Sequence, residues 1–273
     1  MNVDVIIPTF NRASVLARAI DSVLKQTYQQ FKLHIVDDGS TDETSKVLSS
    51  YAAHPQIQIY NKENGGVSSA RNFAVKNSQA QWISFLDSDD EWLPHKLEKQ
   101  IAFLTQDPKC QFLHAEEIWF RNGVRVNPKM KHHKGPEDLF RRSLEFCLIS
   151  PSTVILSRNL FLQHGPFNES FTVCEDYDLW LKILAHEKIG FLPEFVANKY
   201  GGHTDQLSTK FPAMDYWRIK SLVELLSRSL NDQQKEMVVA EIKKKAPVLV
   251  AGFHKHQQHE RLAEMKELIS ELL

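Results

Sequence analysis

The feature that most constrains the fold is the alternation of apolar runs and amphipathic stretches over the first ninety residues. Four apolar runs have the bulk and β-propensity of buried strands, at residues 3–7, 31–36, 57–60 and 82–86. The stretches between them repeat apolar residues at helical spacing, and we expect Ser14 to cap the first helix, at 14–25. Strands that alternate with helices form a parallel sheet, so the sequence predicts an α/β fold whose strand carboxyl ends share one edge.

The fourth of these runs ends in three carboxylates, Asp87, Asp89 and Asp90. One of them could cap a helix predicted at 93–104, where Pro94 suits the first turn, but a cap needs only one side-chain oxygen. Clustered carboxylates at a strand end favour a hard divalent cation, because Mg²⁺ and Mn²⁺ prefer oxygen ligands. The stretch Asp87-Ser88-Asp89 is therefore a candidate metal site.

The predicted topology brings polar residues from distant positions to the same edge of the sheet. They are Thr9, Asn11, Asp37, Asp38, the loop at 64–66, Asp87 and Asp89. The loop after the first strand has neither the Gly-x-Gly-x-x-Gly fingerprint of a dinucleotide-binding protein nor a P-loop, which argues against both classes. A bound diphosphate would then be met by metal and by Lys62 or Arg71. Arg71 is either an exposed helix residue or a side chain that faces an anion.

The composition is that of an ordinary globular protein, with 273 residues, 42% hydrophobic content and a formal charge of -1. This balance gives no reason to expect a nucleic-acid partner. The three cysteines are scattered and odd in number, which indicates free thiols and a cytoplasmic protein. No apolar stretch approaches the ~20 residues that span a bilayer, so we expect at most a peripheral place at the inner membrane face.

The second half predicts an antiparallel continuation of the sheet. A strand at 110–120 is followed by an Asn-Gly turn and a short partner strand, and further strands are predicted at 152–156 and 189–199. The basic stretch 129–134 is predicted to be a solvated loop, with contact to an acceptor or phosphate as the alternative. Helices are predicted at 137–147, 213–230, 232–245 and 254–273. The apolar stripe of the last helix indicates packing onto the rest of the protein or, alternatively, a homodimer face or a surface that docks on lipid.

A second acidic stretch, with Glu175, Asp176 and Asp178, opens an amphipathic helix. The helix dipole alone favours one or two acids at this position. A carboxylate at a rigid helix start is also suited to take a proton from an attacking hydroxyl. Taken by itself, His203 is either structural or exposed.

Taken together, the motifs resemble those of glycosyltransferase family 2, whose fold is GT-A. The matching segments are Ile6-Ile7-Pro8-Thr9-Phe10-Asn11-Arg12, Asp37-Asp38-Gly39-Ser40-Thr41-Asp42, Asn64-Gly65-Gly66, Ala70-Arg71-Asn72 and Asp87-Ser88-Asp89-Asp90. The resemblance is close over about the first 110 residues and looser to about 205. It implies transfer of a sugar from a nucleotide-sugar with inversion at the anomeric carbon.

Residue by residue, the resemblance implies a site with three parts. Asp176 would be the catalytic base, and Asp89, with His203 as a second ligand, would bind Mn²⁺ or Mg²⁺. Asp38 would accept a hydrogen bond from the base of the nucleotide. The expected nucleotide-binding residues are Pro8, Thr9, Asn11, Arg12, Asp38, Asn64, Gly65, Arg71, Asp87 and Ser88.

The sequence predicts a GT-A domain at 1–210, with a nucleotide-binding half at 1–107 and an acceptor-side half at 108–210, followed by a helical region at 211–273. Polymerising synthases of this family carry a Gln-x-x-Arg-Trp motif and membrane spans, which this sequence lacks. We therefore expect transfer of a single sugar to a glycan or lipid-linked acceptor. The alternatives are a nucleotidyltransferase acting on a sugar phosphate, or a non-catalytic protein that binds a nucleotide-sugar or glycan.

Overall fold

The computed structural model describes residues 1–202 and 213–270, which form one mixed sheet flanked by helices. The strands are β1 (Val3–Thr9), β2 (Phe31–Asp37), β3 (Ile57–Asn61), β4 (Trp82–Phe85), β5 (Glu91–Trp92), β6 (Phe112–Arg121), β7 (Val124–Val126), β8 (Ile155–Ser157) and β9 (Gly190–Gly201). The helices are α1 (Leu16–Leu24), α2 (Thr44–Ser49), α3 (Gly66–Asn77), α4 (Lys96–Gln106), α5 (Leu139–Glu145), α6 (Arg158–His164), α7 (Glu175–Leu184), α8 (Met214–Leu226), α9 (Asp232–Lys255) and α10 (His259–Leu268).

Within the described residues the strands lie in the order β3, β2, β1, β4, β8, β6, β9 and β5, with β7 paired to β6. The first four are mutually parallel, as predicted. β8 runs antiparallel to both β4 and β6, while β9 lies parallel to β6. The predicted antiparallel continuation therefore holds for β8 and for the β6–β7 hairpin, whereas β6 and β9 run in the same direction as the first four strands.

The sheet is buried on both faces, which is why its first strands are nearly continuous apolar runs. Side chains of β1 alternate between two cores: Val5 and Ile7 pack with α1 and α4, whereas Ile6 packs with α3, α6 and α7. Asp4 interrupts the run but is satisfied, because it accepts hydrogen bonds from the backbone N–H groups of Gln79 (3.0 Å) and Ala80 (2.9 Å). These contacts fix the strand that carries Thr9.

Three predicted helix starts are wrong, and one of them is that of α10, which begins at His259 rather than at residue 254. α1 begins at Leu16 and has no side-chain cap, so Ser14 does not cap it. α4 begins at Lys96 rather than at residue 93, because Glu91 and Trp92 form a short strand against β9 first. Since α4 also lacks a side-chain cap, the alternative in which one of the three clustered acids caps it is excluded.

The C-terminal helices pack against the rest of the protein in a third core. α8, α9 and α10 bury apolar side chains together with residues of α5 and α7, including Tyr177 and Leu181. The described part of the apolar stripe of the last helix packs into this core, with Met265 fully buried, which favours the packing interpretation of that stripe. α9 continues to Lys255 through Pro247, where the sequence predicted an end at residue 245. Among the described residues no helix combines the length and apolar character needed to cross a membrane.

Candidate functional site

The carboxyl ends of the first four strands meet at one edge, as the topology predicts. Thr9 is in register with Asp37, and Asp37 with Asn61, so the loops after β1, β2 and β3 lie side by side. Thr9 is buried, and its hydroxyl oxygen has no hydrogen-bond partner in the protein. That hydroxyl is a polar group available to a ligand at the edge.

The loop after β1 is tied to the loop after β2. Asn11 has a left-handed backbone with φ of 52°. Its side-chain oxygen accepts hydrogen bonds from the N–H groups of Thr41 (2.7 Å) and Asp42 (3.3 Å), and the N–H of Arg12 donates to the Thr44 hydroxyl (3.0 Å). Pro8 lies within β1, beside Val36. In this structure Asn11 therefore shapes the rim of the edge through bonds within the protein.

Asp38 anchors the Gly-Gly loop. It is buried and takes a hydrogen bond from Lys62 Nζ (2.6 Å) and others from the N–H groups of Gly65 (3.1 Å) and Gly66 (2.7 Å). The side-chain amide of Asn64 donates to the Asp38 carbonyl (2.9 Å). Gly66 has φ of 88°, which glycine adopts without strain. The Asp38 carboxylate thus accepts its hydrogen bonds from groups of the protein. Its contact with a nucleotide base stays a prediction.

Arg71 joins two acidic segments that are far apart in the sequence. Its guanidinium donates to Asp87 Oδ1 and to Glu175 Oε1, each at 2.7 Å, and lies over the ring of Phe167. The side chain is 2% exposed, so the interpretation as an exposed helix residue is wrong. Arg71 does face anions, as the alternative predicted, but both are carboxylates of the protein. Burial opposes its charge, yet these carboxylates raise the pKa of Arg71.

The three clustered acids have different surroundings. Asp87 is partly exposed beside Arg71, and its N–H donates to the Ser152 hydroxyl (3.2 Å). Asp90 is buried, accepts from the Ser152 hydroxyl (2.6 Å) and from the N–H of Tyr200 (3.0 Å), and burial raises its pKa. Asp89 is partly buried, and its carbonyl accepts from Arg18. Asp87 and Asp89 are thus partly exposed at the end of β4, while Asp90 ties this end to β9.

The donors at this edge fit a hard cation held jointly with a substrate. No cluster of three or more potential metal-binding side chains occurs in residues 1–202 and 213–270. Mg²⁺ and Mn²⁺ sites in nucleotide enzymes commonly use one or two carboxylates, with phosphate oxygens and water completing the shell. The partly exposed carboxylates of Asp87 and Asp89 match that smaller donor set. His203 lies outside the described residues.

Asp176 lies in the first turn of α7, on the wall of a pocket of about 200 Å³. Its Oδ1 accepts from the N–H of Tyr177 (2.7 Å), and the Cys147 thiol donates to its Oδ2 (3.4 Å). Glu175 and Asp178 point elsewhere: Glu175 pairs with Arg71, and the fully buried Asp178 bonds to Lys182 and Ser221. Of the three acids in this turn, Asp176 is the one that faces the pocket.

The same pocket is lined by charged residues that the sequence analysis missed. Lys134 is buried and its Nζ pairs with Glu117 Oε1 at 2.8 Å, so the prediction of a solvated loop at 129–134 is wrong for this lysine. Lys199 is half-buried and donates to the Ser150 hydroxyl (3.2 Å). Burial opposes its charge, but Glu117 and other acids raise its pKa. The sequence signals for this group are the charges of Glu117 and Lys199 within predicted strands and the basic stretch 129–134, for which contact with an acceptor or phosphate was the alternative.

Comparisons with known proteins agree with the fold and the motifs. The family model described as glycosyl transferase family 2 matches residues 4–164. An uncharacterized glycosyltransferase of Rickettsia typhi is 34% identical over 69% of this chain, which spans 60% of that relative's length. The UDP-Glc:alpha-D-GlcNAc-diphosphoundecaprenol beta-1,3-glucosyltransferase WfgD of Escherichia coli is 33% identical over 72% of this chain and 76% of its own length.

Solved structures share the architecture at lower identity. The crystal structure of S. aureus TarS 1-349 in complex with UDP-GlcNAc has a TM-score of 0.82 and 22% identity, and covers 100% of this chain and 82% of that one. The mannosyltransferase PcManGT of Pyrobaculum calidifontis, in complex with GDP-Man and Mn²⁺, has a TM-score of 0.66 and 14% identity, and covers 98% of this chain and 74% of that one. The predicted GT-A fold is confirmed.

Proposed function

The chain belongs to glycosyl transferase family 2, and from this premise we propose that it moves a single sugar from a UDP- or dTDP-sugar to a hydroxyl of a glycan or lipid-linked acceptor, with inversion. One observation carries the proposal. Asp176 stands on the wall of a pocket, at a helix start that Arg71 and Glu175 link to the Asp87 carboxylate at the sheet edge. These contacts would hold the general base and the diphosphate site in fixed positions relative to each other.

Asp176 would act as the general base. Its carboxylate takes the proton of the acceptor hydroxyl as that oxygen attacks the anomeric carbon, while the diphosphate leaves from the opposite face. Attack opposite the leaving group inverts the configuration.

The diphosphate would lie at the ends of β1 and β4. Asp89 is our proposed direct metal ligand, with Asp87 beside it and His203 as the second ligand. A bound Mn²⁺ or Mg²⁺ would offset the charge that develops on the departing nucleoside diphosphate. Lys62, half-buried in the adjoining loop, adds a cation near the same edge.

The nucleotide would extend across the loops after β1, β2 and β3. The unpartnered hydroxyl of Thr9 is the best-supported contact. We retain the other expected nucleotide-binding residues as proposals. They are Pro8, Asn11, Arg12, Asp38, Asn64, Gly65, Arg71 and Ser88. Those among them whose side chains are bonded within the protein would act by shaping the loops.

The acceptor and location follow from the relatives by analogy. WfgD is named for a UDP-glucose donor and a lipid-diphosphate-linked acceptor, and we propose an acceptor of the same kind for this chain. A lipid-linked acceptor would place the protein peripherally at the inner membrane face. A homodimer through exposed faces of the C-terminal helices is a further proposal.

Nucleotide binding and donor hydrolysis test the proposal together. Since ligands of the native state raise its stability, UDP should raise the melting temperature more than ADP, and Mn²⁺ should increase the UDP effect. A transferase should also release UDP slowly from a UDP-sugar without acceptor, and EDTA should abolish this release. A stronger effect of ADP than of UDP, or hydrolysis undiminished by EDTA, would reject the assignment. Binding with no hydrolysis would favour a non-catalytic protein.

A further inference from the structure

The pocket beside Asp176 has the size of a single sugar. Its volume of about 200 Å³ leaves room for a monosaccharide ring. Its lining combines apolar, aromatic and charged side chains, among them Trp119, Cys147, Leu148 and Lys199. A ring with polar hydroxyl edges and apolar faces matches such a wall.

Glu117 is the strongest sign of a ligand in this pocket. The side chain is 4% exposed, and its Oε1 accepts from Trp119 Nε1 (2.9 Å) and pairs with Lys134 Nζ (2.8 Å). Its Oε2 is buried and has no hydrogen-bond partner in the protein. A buried carboxylate oxygen without a donor costs free energy, and a ligand that donates a hydrogen bond would recover it.

The charges on the pocket wall balance. Lys134 and Lys199 face Glu117 and Asp176, so the wall carries two positive and two negative side chains. Burial opposes ionisation, but the two lysines lower the pKa of Glu117 to about 2, which keeps its carboxylate charged at neutral pH. Burial and the neighbouring lysines lower the pKa of His132, which is then neutral. The wall as a whole therefore carries no net charge, which a neutral ligand would leave unchanged.

We propose that this pocket binds one neutral sugar unit and that Oε2 of Glu117 accepts a hydrogen bond from one of its hydroxyl or acetamido groups. The inference rests on the proposed function, and it assigns the substrate class of that site. A uronic acid is disfavoured, because its carboxylate would add a net negative charge beside the carboxylates of Glu117 and Asp176. The sugar is either the donor sugar or the terminal sugar of the acceptor.

The test uses a variant that removes the buried ion pair as a unit. Glu117→Gln alone would leave Lys134 buried without its partner, so the informative variant is Glu117→Gln combined with Lys134→Met. Glu116→Gln is the matched control, since Glu116 is a neighbouring acid that does not line the pocket. Melting temperature and UDP affinity should match those of the unmutated protein in both variants, which shows that the nucleotide site is intact.

Two titrations distinguish the sources of the sugar. In the first, UDP-glucose, UDP-N-acetylglucosamine and UDP-glucuronate are compared with UDP. In the second, the methyl β-glycosides of the same three sugars are titrated into UDP-saturated protein. We expect a neutral sugar to strengthen binding in one of the two series and the double variant to lower that gain by about tenfold, the effect of a hydrogen bond to a charged group.

If the double variant lowers the gain in binding in the first series, the pocket holds the donor sugar. If it lowers the gain in the second series, the pocket holds the terminal sugar of the acceptor. The inference is overturned if the double variant leaves the gain in binding unchanged in both series. It is also overturned if the unmutated protein prefers glucuronate to the two neutral sugars. These results leave the proposed function standing as long as UDP binds. Failure of the unmutated protein to bind either UDP or dTDP would instead reject the proposed function.

Discussion

At the residue scale, Asp176 is distinguished from its neighbours by what it faces. If it is the base, it acts only when the acceptor hydroxyl attacks. Asp176→Asn should therefore leave UDP affinity and melting temperature nearly unchanged while lowering the transfer rate by about 10²–10⁴-fold. If it serves only the helix dipole, the same change should cost about 0.3–1 kcal/mol of stability and spare turnover. Transfer rate, UDP affinity and melting temperature measured on one preparation decide between the two roles.

His114 illustrates a buried group without partners. It is fully buried on β6 against Phe191, and neither ring nitrogen has a hydrogen bond. Burial, with Lys134 nearby, lowers its pKa from 6.5 to about 3. Since the folded-state pKa is depressed, the stability contributed by neutral His114 is present above about pH 6.5 and is lost as the pH falls toward 3.

We therefore expect His114→Leu to flatten the pH dependence of the unfolding free energy between pH 6.5 and 4. The contribution of one such group is at most about 1.4 kcal/mol per pH unit. Urea titrations at several pH values measure it, with His133→Leu as a control at an exposed histidine. An identical acid-side slope in His114→Leu and the unmutated protein would contradict the prediction.

At the scale of elements, the Arg71 pairs hold α3, the end of β4 and α7 together. Burial raises the pKa of Glu175 to about 7, and the Arg71 charge opposes this rise. Arg71→Met should cost about 3–5 kcal/mol, because it leaves Glu175 buried without its partner. Combining it with Glu175→Gln should recover much of that loss, since no uncompensated charge then remains. Equal stabilities of the single and double variants would show that the pairing is not what the fold depends on.

The sequence predicted what local patterns determine. The order of strands and helices in the first ninety residues follows from periodicity, and the edge residues follow from the topology of a parallel sheet. It did not predict β5, whose two residues are too few to show a period and depend on β9, about 100 residues later. Side-chain pairing was not predicted either, because the partners are distant in the sequence. The partners of Arg71 lie 16 and 104 residues away, and Lys134 pairs with Glu117 only once the chain has folded.

At the scale of the whole molecule, the C-terminal helices share a core with the helix that carries Asp176. Leu222 of α8 is fully buried with Tyr177 and Leu181 of α7. We retain the division into a GT-A domain at 1–210 and a helical region at 211–273 as a proposal about sequence segments. This core predicts that the two segments unfold together, because neither buries its apolar face alone.

Two point changes and one truncation test this coupling. Leu222→Ala should cost about 2–5 kcal/mol and lower the single melting transition, whereas Val248→Ala, at a residue that is 75% exposed on α9, should change stability by less than about 0.5 kcal/mol. A chain ending at residue 212 should lose cooperative unfolding and UDP-dependent stabilisation, because the outer face of α7 would be open to water. If the truncated chain melts cooperatively near the temperature of the full chain and still responds to UDP, the helices are an independent unit, and the position of Asp176 does not depend on them.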